Sequence, residues 1–460
     1  MLLFLLFSTE HLTAKMNNAA SLKFQSTSPA VVANILYGDL TDGFWDNYQY
    51  ERSEAWKPAL ATLLAFMYAL YILAYPPPTF RLRKLSIALL AMPITYAFNH
   101  QQELTANSSL NDTYGRFLYI WFANMSYEVT ILEFSPPITK ENDGWKSRVR
   151  EAYKVLFARA HPENGNKNAP VRNGRHTYSK TEFLLRHALK ACVLYVAQAT
   201  YSTLVDSYIW TDVHGADKGV FFRRLLSTPS SLNAAELFDR FDLTIHWCLI
   251  NLWMYEMYHS AFAVLFVGAG LDSHNDWAMT LFGSIKEAWS VRRYWGKHWH
   301  DYIYHSFSGH SKIVTRQWLG MRRGVMRRLI ENTMVFGVSG IMHSAVRYAQ
   351  HGETGDYWVI TFWYVGQMVP IIIEGYVSHG WSLLKKRWGI EDSKWLVRAE
   401  KTIGYAWVFG FNMWSVAKYV HTRNDWADKA WRKRYAIELE EWQKTRGNES
   451  VPAVEDKSEL

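Results

Sequence analysis

Cysteine is almost absent: the 460 residues contain two, Cys192 and Cys248. A disulfide framework and a cysteine-based metal site are both excluded on that count. Histidine is plentiful, at 17, yet no two histidines stand three or four residues apart. Two rings must sit at such spacing on a helix to reach one metal ion, so the histidine boxes of a di-iron membrane hydroxylase or desaturase are missing, and no metal is expected. No internal repeat is visible, and the opening "MLLFLLF" lacks the basic leader of a cleaved signal peptide, which leaves it as a lipid-dipping N-terminus.

What the chain does have is aromatic mass: 22 Trp, 27 Tyr and 24 Phe, or 16% of all residues. Tryptophan and tyrosine crowd the two interfaces of a bilayer. The mean hydropathy of −0.18 points the other way, unless polar loops dilute apolar spans. The formal charge of +8 lies in loops between apolar segments, so it reads as a topology signal facing cytosol and anionic headgroups; nucleic acid is not an expected partner.

A bilayer core of about 30 Å takes roughly 20 apolar residues of helix. Candidate segments are 56–75, 85–99, 117–134, 183–209, 241–271, 329–348, 357–377 and 403–420. The expected architecture is therefore all-α, a polytopic membrane protein of about eight transmembrane helices. Residues 1–55 form an N-terminal luminal or interfacial segment, 56–420 the multi-pass domain, and 421–460 a charged, partly disordered tail. Placing the start of the first span in the lumen and alternating sends the basic stretches 80–84, 136–180, 292–328 and 385–387 to the cytosol. The same alternation puts two glycosylation sequons, at Asn107 and Asn111, in the lumen. The terminal "KSEL" resembles a luminal retrieval signal except at its third-last residue, and the endoplasmic reticulum is the expected location.

Two stretches carry chemistry. In residues 287–307, six Trp and Tyr side chains alternate with Arg292, Arg293, Lys297, His298, His300 and His305. An interfacial helix would have that composition. Gly296 at its centre, however, and polar residues on every side of the helical wheel suit a pocket for an anionic, partly apolar ligand better. The basic run 316–328 reads as the cytosolic flank of the next span. That span, "MVFGVSGIMHSAV", is apolar except for His343. An ionisable group within a span is costly and marks function. An apolar surround keeps its imidazole neutral, the form that can take a proton from a hydroxyl. Gly337, Ser339 and Gly340 before it let a helix or ligand approach closely.

At these stretches the chain resembles the membrane-bound O-acyltransferase superfamily, in its wax-synthase-like branch. "SVRRYWGKHWH", residues 290–300, follows the branch's first signature with Val291 and Tyr294 as departures, and "FGVSGIMH", residues 336–343, follows the second without departure. The signature core runs from about 247 to 347. The resemblance implies an internal tunnel in which an acyl group passes from acyl-CoA to a hydroxyl of a hydrophobic acceptor. It implies His343 as catalytic base and His300 at the second signature polar position. Arg292, Arg293, Trp295, Lys297 and Trp299 then become candidate contacts to CoA, which is a co-substrate, no cofactor being bound permanently. Fungal proteins of this branch move acetyl from acetyl-CoA onto terpenoids or meroterpenoids in secondary metabolism, and that is the expected reaction; long-chain wax ester synthesis is the alternative. Neither cysteine lies near a motif, so a ternary complex is expected rather than an acyl-enzyme.

Overall fold

The protein is described by a computed structural model covering residues 54–105, 108–137, 144–157, 179–208, 234–277, 281–299, 304–352, 355 and 357–446. Among these residues there is no strand. Every apolar segment expected to be helical is helical, with shifted ends. The helices are α1 (Trp56–Ala74), α2 (Phe80–Asn99), α3 (Ser108–Ser126), α4 (Trp145–Leu156), α5 (Lys180–Tyr208), α6 (Ala234–Ile245) and α7 (Asn251–Gly268). After them come the short α8 (Val291–Arg293), α9 (Tyr304–Lys312), α10 (Val325–His351), α11 (Trp358–Gly366), α12 (Met368–Trp388) and α13 (Lys394–Arg446). Wide turns prolong α3 through Tyr127–Ile131 and join α6 to α7 through His246–Ile250.

Among the described residues two stretches are long and apolar enough to cross a membrane by composition, Trp56–Ala74 and Trp358–Trp388. The other long helices carry charges, and the structure shows where some of them go. Lys190 of α5 pairs with Glu256 of α7, and His187 lies 6.2 Å from His259 between the same two helices. Polar residues that made the two segments look ambiguous thus meet in the seam between them. The outer faces are apolar: Leu63, Leu64 and Met67 of α1, Leu85 and Met92 of α2, and Leu185, Leu189 and Val193 of α5 are all exposed. Exposed apolar area of that extent on several neighbouring helices is what a lipid-facing surface looks like.

Two expectations change. The helix over 403–420 does not stop there; α13 runs on to Arg446. No Gly or Pro interrupts residues 411–446, so nothing in the chain breaks the helix until Gly447. His421 and Trp426 are buried, the latter against Tyr357 at 5.0 Å, so the core extends past the boundary drawn at 420. Residues 1–53 and 447–460, including the apolar opening and "KSEL", lie outside the described residues.

The second change concerns Asn111. The helix expected over 117–134 starts at Ser108, which places Asn111 in its first turns at 1% exposure. Its Nδ2 donates to the carbonyl oxygens of Gln102 (3.3 Å) and Thr105 (2.8 Å) and to Gln102 Oε1 (3.2 Å). A glycan would attach to that nitrogen, and the fold already uses it to tie the 101–105 turn to α3. Asn107 lies outside the described residues.

Helices α10 and α11 pack closely at Gly340. A Cβ on Gly340 would lie 2.7 Å from Thr361 Cα and 3.1 Å from Tyr364 Cβ, so only glycine allows this approach. One turn on, Ser344 Oγ donates to the Tyr357 carbonyl at 2.7 Å and lies 2.8 Å from Thr361 Oγ1. Gly337, on the same helix, is different: its Cβ would sit 3.9 Å from Val365 Cγ2, an ordinary contact. Gly340→Ala should therefore lower the thermal midpoint of the detergent-purified protein by the equivalent of about 1–3 kcal/mol. Gly337→Ala should leave it unchanged or raise it, since alanine is the better helix former. Equal effects of the two substitutions would contradict this packing.

Candidate active site

The seam at Gly340 sets the position of His343. With the two helices this close, the half-buried His343 ring lies parallel to that of Tyr364 on α11, centroids 4.6 Å apart and planes 8° apart. Tyr364 is itself buried and packs on Trp363 (4.9 Å) and on Tyr419 of α13 (6.1 Å), both edge to face. An imidazole held flat against a phenol cannot turn about its χ angles without losing that contact. The His343 ring is thereby held in one orientation.

The first signature stretch reaches the same place from outside. Trp295 packs edge-on against Phe336 of α10 at 5.7 Å and lies 6.5 Å from Tyr364. Its Nε1 donates to Gln367 Oε1 at 3.3 Å, and Gln367 Nε2 donates to Ser415 Oγ of α13 at 3.2 Å. The two signature stretches, well separated in sequence, therefore meet through Trp295. Trp299 stacks parallel to Trp247 at 6.2 Å and 2°, with Tyr294 at 5.5 Å on its other flank.

What holds this stretch is a carboxylate. Glu374 of α12 accepts from the backbone N–H groups of Val291 (2.5 Å) and Arg292 (3.0 Å), and from Trp407 Nε1 (2.8 Å). The first N–H groups of a helical turn have no partner within it, and an anion there is favourable. On the far side a Cβ on Gly404 of α13 would strike the Trp289 carbonyl oxygen at 2.1 Å. A Cβ on Gly283 would strike the Lys297 carbonyl at 1.8 Å. Two glycines thus receive two turns of the stretch.

The candidate cations divide. Arg293 is half-buried, paired with Glu287 and lying over the Trp289 ring at 4.5 Å. Arg292 and Lys297 are exposed. So are Arg322, Arg323 and Arg328, just before and within the first turn of α10. Arg316 and Arg327, by contrast, pair with Glu331 at 2.9 and 3.6 Å. His298 is buried; its Nδ1 donates to the Gly283 carbonyl at 2.9 Å, and burial holds its ring below the ordinary imidazole range against that hydrogen bond. His300 lies outside the described residues. Among the described residues no group of His, Cys, Asp and Glu side chains is arranged to hold a metal ion.

Sequence reasoning missed Tyr364, Gln367 and Glu374. Glu374 carried the same signal that singled out His343, a lone ionisable group in an apolar run, "PIIIEGY". Tyr364 and Gln367 carried none, because their roles depend on which helix packs beside which.

Comparison with known proteins agrees with this arrangement. Residues 277–365 match the membrane bound O-acyl transferase family, a segment that contains both signature stretches and Tyr364. The chain is similar to a protein named acetyltransferase nanB from Aspergillus nanangensis, 29% identical over 40% of this chain and 43% of that one. It is also similar to acetyltransferase atnC from Arthrinium sp, 26% identical over 39% and 40%. A third is acetyltransferase fsoF from Humicola fuscoatra, 26% identical over 44% and 48%. In each case the match spans less than half of the relative's length. Both signature stretches lie inside the matched segment and pack on one another in space, so it is this part of the chain, residues 277–365, that is similar to the membrane bound O-acyl transferase family.

Proposed function

We propose that the protein is a multi-pass membrane enzyme of about eight spans, seated in the endoplasmic reticulum. It moves acetyl from acetyl-CoA onto a hydroxyl of a hydrophobic acceptor of the terpenoid or meroterpenoid class. The reading is carried by one observation: His343 is fixed against Tyr364 in the very seam that the first signature stretch reaches through Trp295. The printed names of its fungal relatives favour acetyl as the group transferred.

In this mechanism His343 takes the acceptor's proton as the hydroxyl oxygen attacks the thioester carbonyl. A carbon–oxygen bond forms, the carbon–sulfur bond breaks, and the proton passes from His343 to the departing CoA thiolate. His300 is proposed to orient the donor or to stabilise the oxyanion. The exposed Arg292, Lys297, Arg322, Arg323 and Arg328 support entry of the anionic CoA at one end of α10. Lys297 and Arg292 are then the CoA contacts, and Trp295 and Trp299 form the wall behind them. Arg293 serves the wall by holding Glu287.

Removal of the base should show as a rate effect alone. In microsomes given radiolabelled acetyl-CoA and a panel of polycyclic alcohols, His343→Ala should lose transfer by about a thousand-fold or more at unchanged protein abundance. Retained turnover in that variant would overturn the assignment. Substituting palmitoyl-CoA tests the donor: faster transfer from it than from acetyl-CoA, onto fatty alcohols, would replace the acetyl reading with wax ester synthesis. The cations separate by role. Arg292→Ala and Lys297→Ala should raise the KM for acetyl-CoA with kcat near normal, and Arg293→Ala should instead lower the amount of folded protein. The same KM effect from all three would contradict the division.

A further inference from the structure

A short corner joins α12 to α13. Gly389 ends α12 in the left-handed conformation (φ 61°, ψ 30°), which glycine adopts without strain, and the Ile390 N–H donates back to the Lys385 carbonyl at 2.9 Å. Lys385 gathers acidic groups: its Nζ donates to Asp392 Oδ1 at 2.6 Å and to Glu400 Oε1 at 3.1 Å. Glu400 also accepts from Trp381 Nε1 at 2.7 Å. One lysine, two carboxylates and a tryptophan therefore hold the corner in shape.

The other cations are left over. Lys386 and Arg387 on the last turn of α12, and Lys394, Arg398 and Lys401 on the first turns of α13, are exposed and form no ion pair among the described residues. Across residues 381–401 the only further carboxylate is that of Glu391. Between these cations stand two tryptophans, Trp388 at 63% and Trp395 at 77% exposure, the second with Arg398 over its ring at 5.2 Å. Earlier on α12 the exposed side chains are apolar: Ile372, Ile373, Val377, Leu383 and Leu384. Exposed lysines alone would be an ordinary solvated surface. Two indoles held out in water among them are costly, and headgroup depth is where such rings are stable. The basic run 385–387 falls on the side that the alternating charge pattern assigns to the cytosol, the side of the anionic leaflet.

We propose that this corner is a docking surface for anionic phospholipid headgroups of the cytosolic leaflet. Trp388 and Trp395 lie among the headgroups, and Lys386, Arg387, Lys394 and Lys401 meet their phosphates. Charge complementarity selects the partner: surplus cations beside apolar surface suit a headgroup with its acyl chains, whereas a soluble anion would use the cations alone. The proposal rests on the membrane placement given above and not on acyl transfer.

The test is equilibrium binding to the full-length protein purified in a neutral detergent. The lipid probes share their chains, dioctanoyl phosphatidylserine and dioctanoyl phosphatidylcholine; inorganic phosphate and coenzyme A are the soluble anions. The serine lipid should bind about ten-fold tighter than the choline lipid, the effect of one or two basic residues beside an anionic headgroup. Lys386→Gln with Arg387→Gln should erase that preference and leave binding of the choline lipid unchanged. The exchange Lys386→Arg with Arg387→Lys should keep it. Equal binding of the two lipids overturns the proposal. So does a preference that survives the double glutamine substitution, since it then belongs to another basic face. Displacement of the serine lipid by inorganic phosphate or coenzyme A would mark a soluble-anion site and overturn it too. Should the Lys386 and Arg387 variant fail to fold, Lys394→Gln with Lys401→Gln puts the same question to α13. Release of the protein from microsomes by alkaline carbonate without detergent would sink the membrane placement itself. A protein that needs detergent yet does not discriminate between the lipids sinks the corner alone.

Discussion

The arrangement depends on one close approach, α10 against α11 at Gly340. Because a hydrogen stands there in place of a methyl group, the backbone of Thr361 comes within contact of α10. The Tyr364 ring can then lie flat on His343. Wider spacing would leave the imidazole free to rotate; in the proposed reaction such a base would spend little of its time in the productive orientation. Ser344, bonded across to Tyr357 and Thr361, locks the same seam one turn further on.

Around that seam the fold places cations of different exposure towards the two ends of α10. At one end of α10 stand exposed cations, Arg322, Arg323 and Arg328, with Arg292 and Lys297 beside them. Towards the other end stands the buried Arg347, which shares Asp112 of α3 with Arg116. Exposed cations can meet a large hydrated anion without giving up much solvation. His343 lies between the two sets.

Much of this was legible in the sequence. The apolar runs foretold the helices, because a hydrocarbon solvent leaves a helix as the main way to satisfy the backbone. The lone histidine in "FGVSGIMH" marked the site, since an ionisable group there needs a reason. Local composition could not reveal contacts between distant helices. Glu374 capping the first signature stretch, Gly404 receiving the Trp289 carbonyl and Tyr364 orienting His343 are such contacts. Among the cations the sequence could not separate Arg293, which pairs with Glu287, from its exposed neighbour Arg292, because the two differ only in what lies next to them in space. Asn111 shows the converse: its sequon is intact, but a helix begins three residues earlier than the nitrogen it would expose.

The stacked pair itself can be tested by shape. Tyr364→Phe keeps an aromatic face against His343 and Tyr364→Leu removes it, with little change in buried apolar area. With each variant purified and its abundance matched, kcat/KM for acetyl transfer should stay within about three-fold of normal for phenylalanine. It should fall by about a hundred-fold for leucine, the scale of a base that has lost its aim. Equal rates for the two variants would contradict the claim that this ring holds the imidazole in place.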